Sequence, residues 1–279
     1  MLKKLSLVSL LTASLLADIT TVVPYAGLLN YSSESIRDNG YFSGLYASNA
    51  SWTNKFEIGA EYTTFQYKNR AITPLVQRDF TIAYTRYFTE KYNLKGAYHL
   101  ISSSDDATDG GNIYLLNFTT NPSKKLDISL EAAYSSYKDS FNVLQGRTSV
   151  GRVFGDYNSM LGSFHVQGAY KYIKPSTATI NNLKSSYDSF HMEVINYNGD
   201  FTTTLSTWTG SEVYAVTNGG FSVDNLADEK KGAVALAVRY AFTPAMGLTL
   251  NGKLLNMREA GATVDSSSSV LGATFDYSY

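Results

Sequence analysis

The stretch SSVLGATFDYSY, residues 268–279, alternates in character. Leu271, Ala273, Phe275, Tyr277 and Tyr279 fall on one parity; Val270, Gly272, Thr274, Asp276 and Ser278 fall on the other. Side chains along a β-strand point to opposite faces in turn, so these residues write an amphipathic strand with an apolar, aromatic-ended face.

The same period of two recurs along the chain. KFEIGAEYTTFQYK (55–68) sets Phe56, Ile58, Ala60 and Tyr62 against Glu57, Gly59, Glu61 and Thr63. RDFTIAYTRYF (78–88) sets Phe80, Ile82 and Tyr84 against Asp79, Thr81, Ala83 and Thr85. Comparable strands read at 92–100, 126–137, 164–172, 233–242 and 248–254, with weaker ones near 22–32, 41–48, 112–120, 143–154, 188–197 and 201–216. With the terminal strand that makes fourteen. The alternative is twelve: Pro24 lacks a ladder donor and 41–48 is short, so residues 18–50 would then form a plug or periplasmic arm.

Several of these strands run to about ten residues, the length a tilted strand needs to cross a bilayer, whereas strands of soluble proteins are shorter. The links also differ by rim. TEK (89–91), NPSKK (121–125), GDYNS (155–159), NGD (198–200) and TPA (243–245) are terse, with SNASWTN (48–54) an exception. The other set is longer and polar: SSESIRDN (32–39), SSDDATDGG (103–111), KPSTATINNLKSSY (174–187) and TNGGFSVDNLADEKK (217–231). Short turns on one rim and long loops on the other are the asymmetry of a transmembrane barrel. The expected fold is therefore all-β, a transmembrane antiparallel up-and-down β-barrel, with an even strand count leaving both termini at the short-turn, periplasmic side.

Residues 1–17, MLKKLSLVSLLTASLLA, carry the pattern of a secretory signal peptide: basic Lys3 and Lys4, an apolar run from Leu5 to Leu16, and small Ala17. Residues 18–279 then form the barrel domain. Of 23 basic residues, loss of Lys3 and Lys4 leaves 21 against 24 acidic ones, a net charge of −3 that offers no footprint for nucleic acid. The absence of cysteine excludes disulfides and thiolate chemistry. Tyrosine, with 22 copies, suits both strands and the water–hydrocarbon boundary.

The terminal strand, with alternate apolar residues and a final aromatic, resembles the C-terminal signature of Gram-negative outer-membrane proteins. That resemblance implies that Leu271, Ala273, Phe275, Tyr277 and Tyr279 form an assembly signal read by the barrel-assembly machinery. Length, strand rhythm and terminus together resemble the small fourteen-stranded monomeric porins of the porin G type. This implies an outer-membrane location, contact with outer-membrane lipids, passive diffusion of small solutes, and no cofactor.

Parity assigns the lumen. Its acidic candidates are Glu57, Glu61, Asp79, Asp127, Glu131, Glu193, Glu212 and Asp276; its basic candidates are Lys95, Arg147, Lys171, Arg239 and Lys253. The acidic excess predicts a mild cation preference. Ala83, Ala97, Ala133, Ala169, Ala235 and Ala237 share the inward parity, and such short side chains predict a water-filled interior unless a loop folds inward. His99, His165 and His191 also point inward; His165 and His191 are candidate pH sensors, and Lys171 is expected opposite His191 or Glu193. No two histidines share a metal-binding spacing. Serine and aspartate follow His99 in 102–106, but the His-x-Ser-Asn-Gly motif of outer-membrane phospholipases is absent, so catalysis is not expected. The expected function is a porin-like channel for small hydrophilic solutes. The alternative is a non-conducting structural or adhesion barrel acting through its loops.

Overall fold

A computed structural model describes residues 19–157, 159–176 and 183–279, so the leader segment 1–17 lies outside the described residues. The chain forms β1 (Ile19–Tyr31), β2 (Arg37–Ala50), β3 (Asn54–Tyr67), β4 (Leu75–Thr89), β5 (Tyr92–Ser103), β6 (Asn112–Ser123), β7 (Leu126–Ser136), β8 (Asn142–Gly155), β9 (Ser163–Pro175), β10 (Tyr187–Asn198) and β11 (Phe201–Glu212). A small hairpin of β12 (Val216–Thr217) and β13 (Ser222–Val223) follows, then β14 (Glu229–Thr243), β15 (Met246–Arg258) and β16 (Ser266–Ser278). All strands except β12 and β13 join one closed antiparallel barrel, in which β11 pairs with β14.

Fourteen strands close the wall, and the twelve-strand alternative falls away because β1 and β2 are full members of it. The closing seam is β1 on β16, with Val22 opposite Tyr277 and Leu29 opposite Val270. Thr20 and Tyr279 exchange backbone hydrogen bonds in both directions at 2.9 Å. Pairing across this seam skips Val23 and Pro24, where proline's missing N–H interrupts the ladder without ending the strand. Closure leaves no free edge, the condition for sheet backbone to sit in hydrocarbon.

The outward parity carries the apolar residues. Leu45, Phe80, Ile82, Leu116, Leu130, Val150, Phe190, Leu205, Leu236, Leu250 and Leu271 are all exposed, a continuous apolar belt that water would not tolerate on a soluble protein. Tyr84, Tyr92, Tyr134, Tyr240, Tyr277 and Tyr279 are exposed among them. Arg86, also outward, donates to Asn54 Oδ1 at 2.7 Å, and Arg152 lies over the Phe154 ring at 5.3 Å.

The rims are as unequal as the spacing predicts, with one change. The β2–β3 link is only residues 51–53, because both strands extend further than their alternation shows, so it joins the short set. The longest connection, 213–228 between β11 and β14, does not stay at the rim. It enters the barrel.

Several inner glycines seat aromatic rings flat on the wall. A Cβ on Gly27 would lie 2.3 Å from Phe42 Cζ and 2.7 Å from the Leu271 carbonyl oxygen; one on Gly44 would lie 2.3 Å from Tyr25 Cζ. Gly27→Ala must therefore push a ring and a backbone group that belongs to the closing seam. The expected cost is about 1–3 kcal/mol, typical of overpacking, seen as a lower urea midpoint for the vesicle-inserted barrel. An unchanged midpoint would show that the ring seat is dispensable.

Candidate functional site

The connection 213–228 leaves the long-loop rim as an inward hairpin. Its tip, Asn218–Gly220, reaches about midway down the barrel: a Cβ on Gly219 would lie 2.9 Å from Lys95 Nζ, and one on Gly220 would lie 3.1 Å from Ala97 Cβ. Asn218, Gly219 and Gly220 all hold positive φ, a turn that Asn and Gly accept readily. Tyr214 also sits at φ 51, a conformation costly for a bulky residue, and its packing explains why it persists. The ring is 2 % exposed and packs on Tyr137 and Phe141 at centroid distances of 5.3 and 5.0 Å.

Val213, Tyr214, Ala215 and Val216 belong to a dry cluster with Ile101, Ile113, Leu115, Ala133, Val143 and Ile173 on the β5–β9 wall. This corrects the reading of the inward alanines. At Ala97 and Ala133 the short side chains make room for the hairpin rather than for water. Phe141 is buried in the cluster and Phe221 lines the lumen.

Polar bonds fix the hairpin at three levels. Gln145 Nε2 donates to the Val216 carbonyl at 2.8 Å, while Val216 N donates to Gln145 Oε1 at 2.9 Å. His99 Nδ1 lies 3.0 Å from the Gly220 carbonyl and 2.7 Å from Thr81 Oγ1, and its Nε2 lies 3.1 Å from Asp79 Oδ1. Lys95 Nζ stands 5.0 Å above the Phe221 ring, whose other neighbour is Tyr46.

Each root of the hairpin carries a buried charge network. Glu212 receives Lys171 Nζ at 3.1 Å, His191 Nε2 at 2.6 Å and the Ser189 hydroxyl at 2.5 Å. The residue facing Lys171 across the strands is Ser189, not His191 or Glu193; the shared carboxylate of Glu212 is what joins Lys171 to His191. At the other root, Arg37 Nη1 meets Asp228 Oδ2 at 2.6 Å and Glu259 Oε1 at 3.6 Å. Glu259 also accepts from the Ser35 hydroxyl and from Ile36 N. Outside the wall, at the loop rim, bonding to Lys231 and then Arg258 holds the Asp265 carboxyl below its ordinary value.

The remaining expected lumen residues form smaller groups. Glu57 binds Lys55 at 3.0 Å and Lys95 at 3.1 Å and accepts from the Tyr46 hydroxyl. Arg239 makes a two-bond fork to Asp276, at 2.9 and 2.6 Å. His165 Nε2 lies 2.7 Å from Asp127 Oδ1. Glu131 stands opposite Arg147 in the β7–β8 register, and Arg147 donates to Gln167 at 3.4 Å. Glu61, Asp79, Glu193 and Lys253 line cavities.

Three of these cavities adjoin around the hairpin. One of about 260 Å³ lies between Ser222–Leu226 and the β1–β4 and β15–β16 wall. It shares Glu61 and Ser222 with a second, of about 520 Å³, beside Tyr25, Tyr46, Glu57 and Lys95. That one shares Lys95 and Asn218 with a third, of about 370 Å³, beside Glu131, Arg147, Lys171, His191 and Glu193.

Parity reasoning missed Arg37, Asp228 and Glu259, because they sit at strand ends where alternation stops. It missed Gln145 and Ser189 because an uncharged side chain gives no signal of a specific partner. The Asn218-Gly219 turn inside a long loop was the one local sign of a hairpin.

No protein-family model and no curated protein matches this chain. Solved structures do share its fold. A structure described as the CymD monoaromatic hydrocarbon channel matches at TM-score 0.63 and 8 % identity, over 96 % of this chain and 90 % of that one. The Pseudomonas putida toluene transporter TodX matches at 0.54 and 10 %, over 96 % and 91 %. A bacterial polysaccharide outer membrane secretin matches at 0.57 and 7 %, over 91 % and 97 %. At such identities the likeness is one of fold.

Proposed function

We propose, taking as premise a closed fourteen-stranded barrel with the fold of outer-membrane channels, that this chain is an outer-membrane channel for passive diffusion of small hydrophilic solutes. The observation that carries this is the run of adjoining, charge-lined cavities around the inward hairpin, which a small hydrated solute would follow. On this reading residues 1–17 are removed on export, and residues 18–279 insert with both termini and the short turns periplasmic. The barrel-assembly machinery then reads Leu271, Ala273, Phe275, Tyr277 and Tyr279.

Mild cation preference is supported by the pairing on the inner wall. Lys55, Lys95, Lys171 and Arg239 are each matched to a carboxylate, whereas among the described residues Glu61, Asp79, Glu131 and Glu193 face the cavities with no lysine or arginine in ion-pair contact, against only Arg147 and Lys253 on the basic side. Fixed negative charge along a narrow path concentrates cations. If His165 and His191 sense pH, their partners set the direction: both rings face carboxylates, so protonation adds attraction to Asp127 and Glu212 instead of repelling strands.

The names of two similar structures invite an apolar cargo, but the charged wall favours solutes that carry polar groups. A second reading, a non-conducting structural or adhesion barrel, draws on the hairpin and its dry cluster, which fill part of the loop-side half. Refolded protein in a planar bilayer decides between them. Discrete ohmic steps with a reversal potential of cation sign are expected in a salt gradient. A folded, heat-resistant barrel that passes no current would overturn the channel.

A further inference from the structure

Most inner-wall charges are neutralised in pairs, but two that face one cavity are not. Lys253 lines the 260 Å³ cavity and has no carboxylate in ion-pair contact among the described residues; the nearby Asp224 is taken by Lys230. Glu61 lines the same cavity and, among the described residues, accepts only neutral hydroxyls, from Tyr25 at 3.0 Å and Thr63 at 2.9 Å. An unmatched cation and an unmatched anion therefore look into one small space.

Part of that space is apolar and aromatic, and its other charged residues are paired with one another, Arg37 with Asp228 and Lys230 with Asp224. Tyr31, Phe42 and Phe65 line it together with Leu29, Leu255 and Met257. Tyr31 and Phe65 meet edge to face at 6.0 Å, with the Arg37 guanidinium 5.7 and 5.8 Å from their centroids. Phe42 is pinned over Gly27. These rings are fixed by their seats before any solute arrives.

We propose that this cavity recognises small zwitterions bearing an apolar or aromatic side chain, of the free amino-acid type, as they pass; the proposal rests on the channel reading above. The Lys253 ammonium takes the solute carboxylate, the Glu61 carboxylate takes its ammonium, and the rings take the side chain. Charges held in a partly desolvated space gain most from a solute that supplies both counter-charges without adding net charge. A neutral sugar would leave both charges unmatched. A simple anion or cation would match one and face the other's like charge. The cavity volume suits a single small solute.

The test uses the refolded full-length barrel domain with three probes: L-phenylalanine, phenylacetate and phenethylamine. Binding is read by equilibrium dialysis in detergent, and block of single-channel current is read in bilayers. L-phenylalanine is expected to bind about tenfold more tightly than either single-charge analogue, the factor that one charge-assisted bond supplies. Glu61→Gln should erase the preference over phenylacetate, and Lys253→Met the preference over phenethylamine. Equal binding of the three probes by the unaltered protein, or preferences that survive both substitutions, would overturn the site. Because dialysis needs no conduction, the two failures separate. Conductance without zwitterion preference sinks the site and leaves the channel; binding without conductance does the reverse.

Discussion

Replacing residues 217–223 by two glycines is expected to raise single-channel conductance several-fold while leaving a heat-resistant barrel. The wall does not depend on the hairpin: β11 and β14 pair directly from Phe201–Tyr240 up to Glu212–Lys230, below and beside the connection. The segment removed carries the tip that stands against Lys95 and Ala97, together with Phe221, whose ring reaches Tyr46 on β2. Without it the three cavities merge across the lumen. A fourteen-stranded wall is too wide for its own side chains to fill, so water takes the space. Wild-type conductance in the shortened protein would mean that the constriction lies elsewhere.

Glu212→Ala is expected to release the hairpin root and to be the most destabilising single change in the interior. Lys171 is 1 % exposed, and Glu212 is its only carboxylate partner in ion-pair contact among the described residues. Removing one member of a buried ion pair costs about 3–5 kcal/mol, because the survivor stays buried and uncompensated. His191 and Ser189 lose their acceptor in the same step. The protein has no cysteine, so Ala215→Cys makes a clean reporter at a position 0 % exposed. Maleimide labelling should be slow in the parent and fast with Glu212→Ala. Lys171→Met combined with Glu212→Leu should restore protection, since an apolar pair of similar volume avoids the stranded charge. Slow labelling in the single variant would show that the dry cluster around Tyr214 anchors the hairpin unaided.

The architecture was legible in the sequence because barrel strands report themselves locally. Apolar side chains must face lipid at every second position, and the connections must be short on one rim. Both marks are written residue by residue, as at 55–68 and 268–279. Residues near the seam were harder: Pro24 and the brief alternation at 41–48 argued for fewer strands, yet β1 is held by β16, distant in sequence, and β2 pairs along its length with β1 and β3.

By itself, then, the sequence determined the strand period, the lipid-facing parity, the unequal rims and the charges that point inward, since each depends only on nearest neighbours along the chain. Tertiary structure decided what occupies the interior. Whether 213–228 folds in or stays out turns on Glu212 meeting Lys171 and His191, Arg37 meeting Asp228, and Tyr214 packing on Phe141. The same holds for which charges are left unmatched at Glu61 and Lys253. Alternation assigns a side chain to a face, but only closure of the barrel brings the opposite walls and the hairpin within bonding distance.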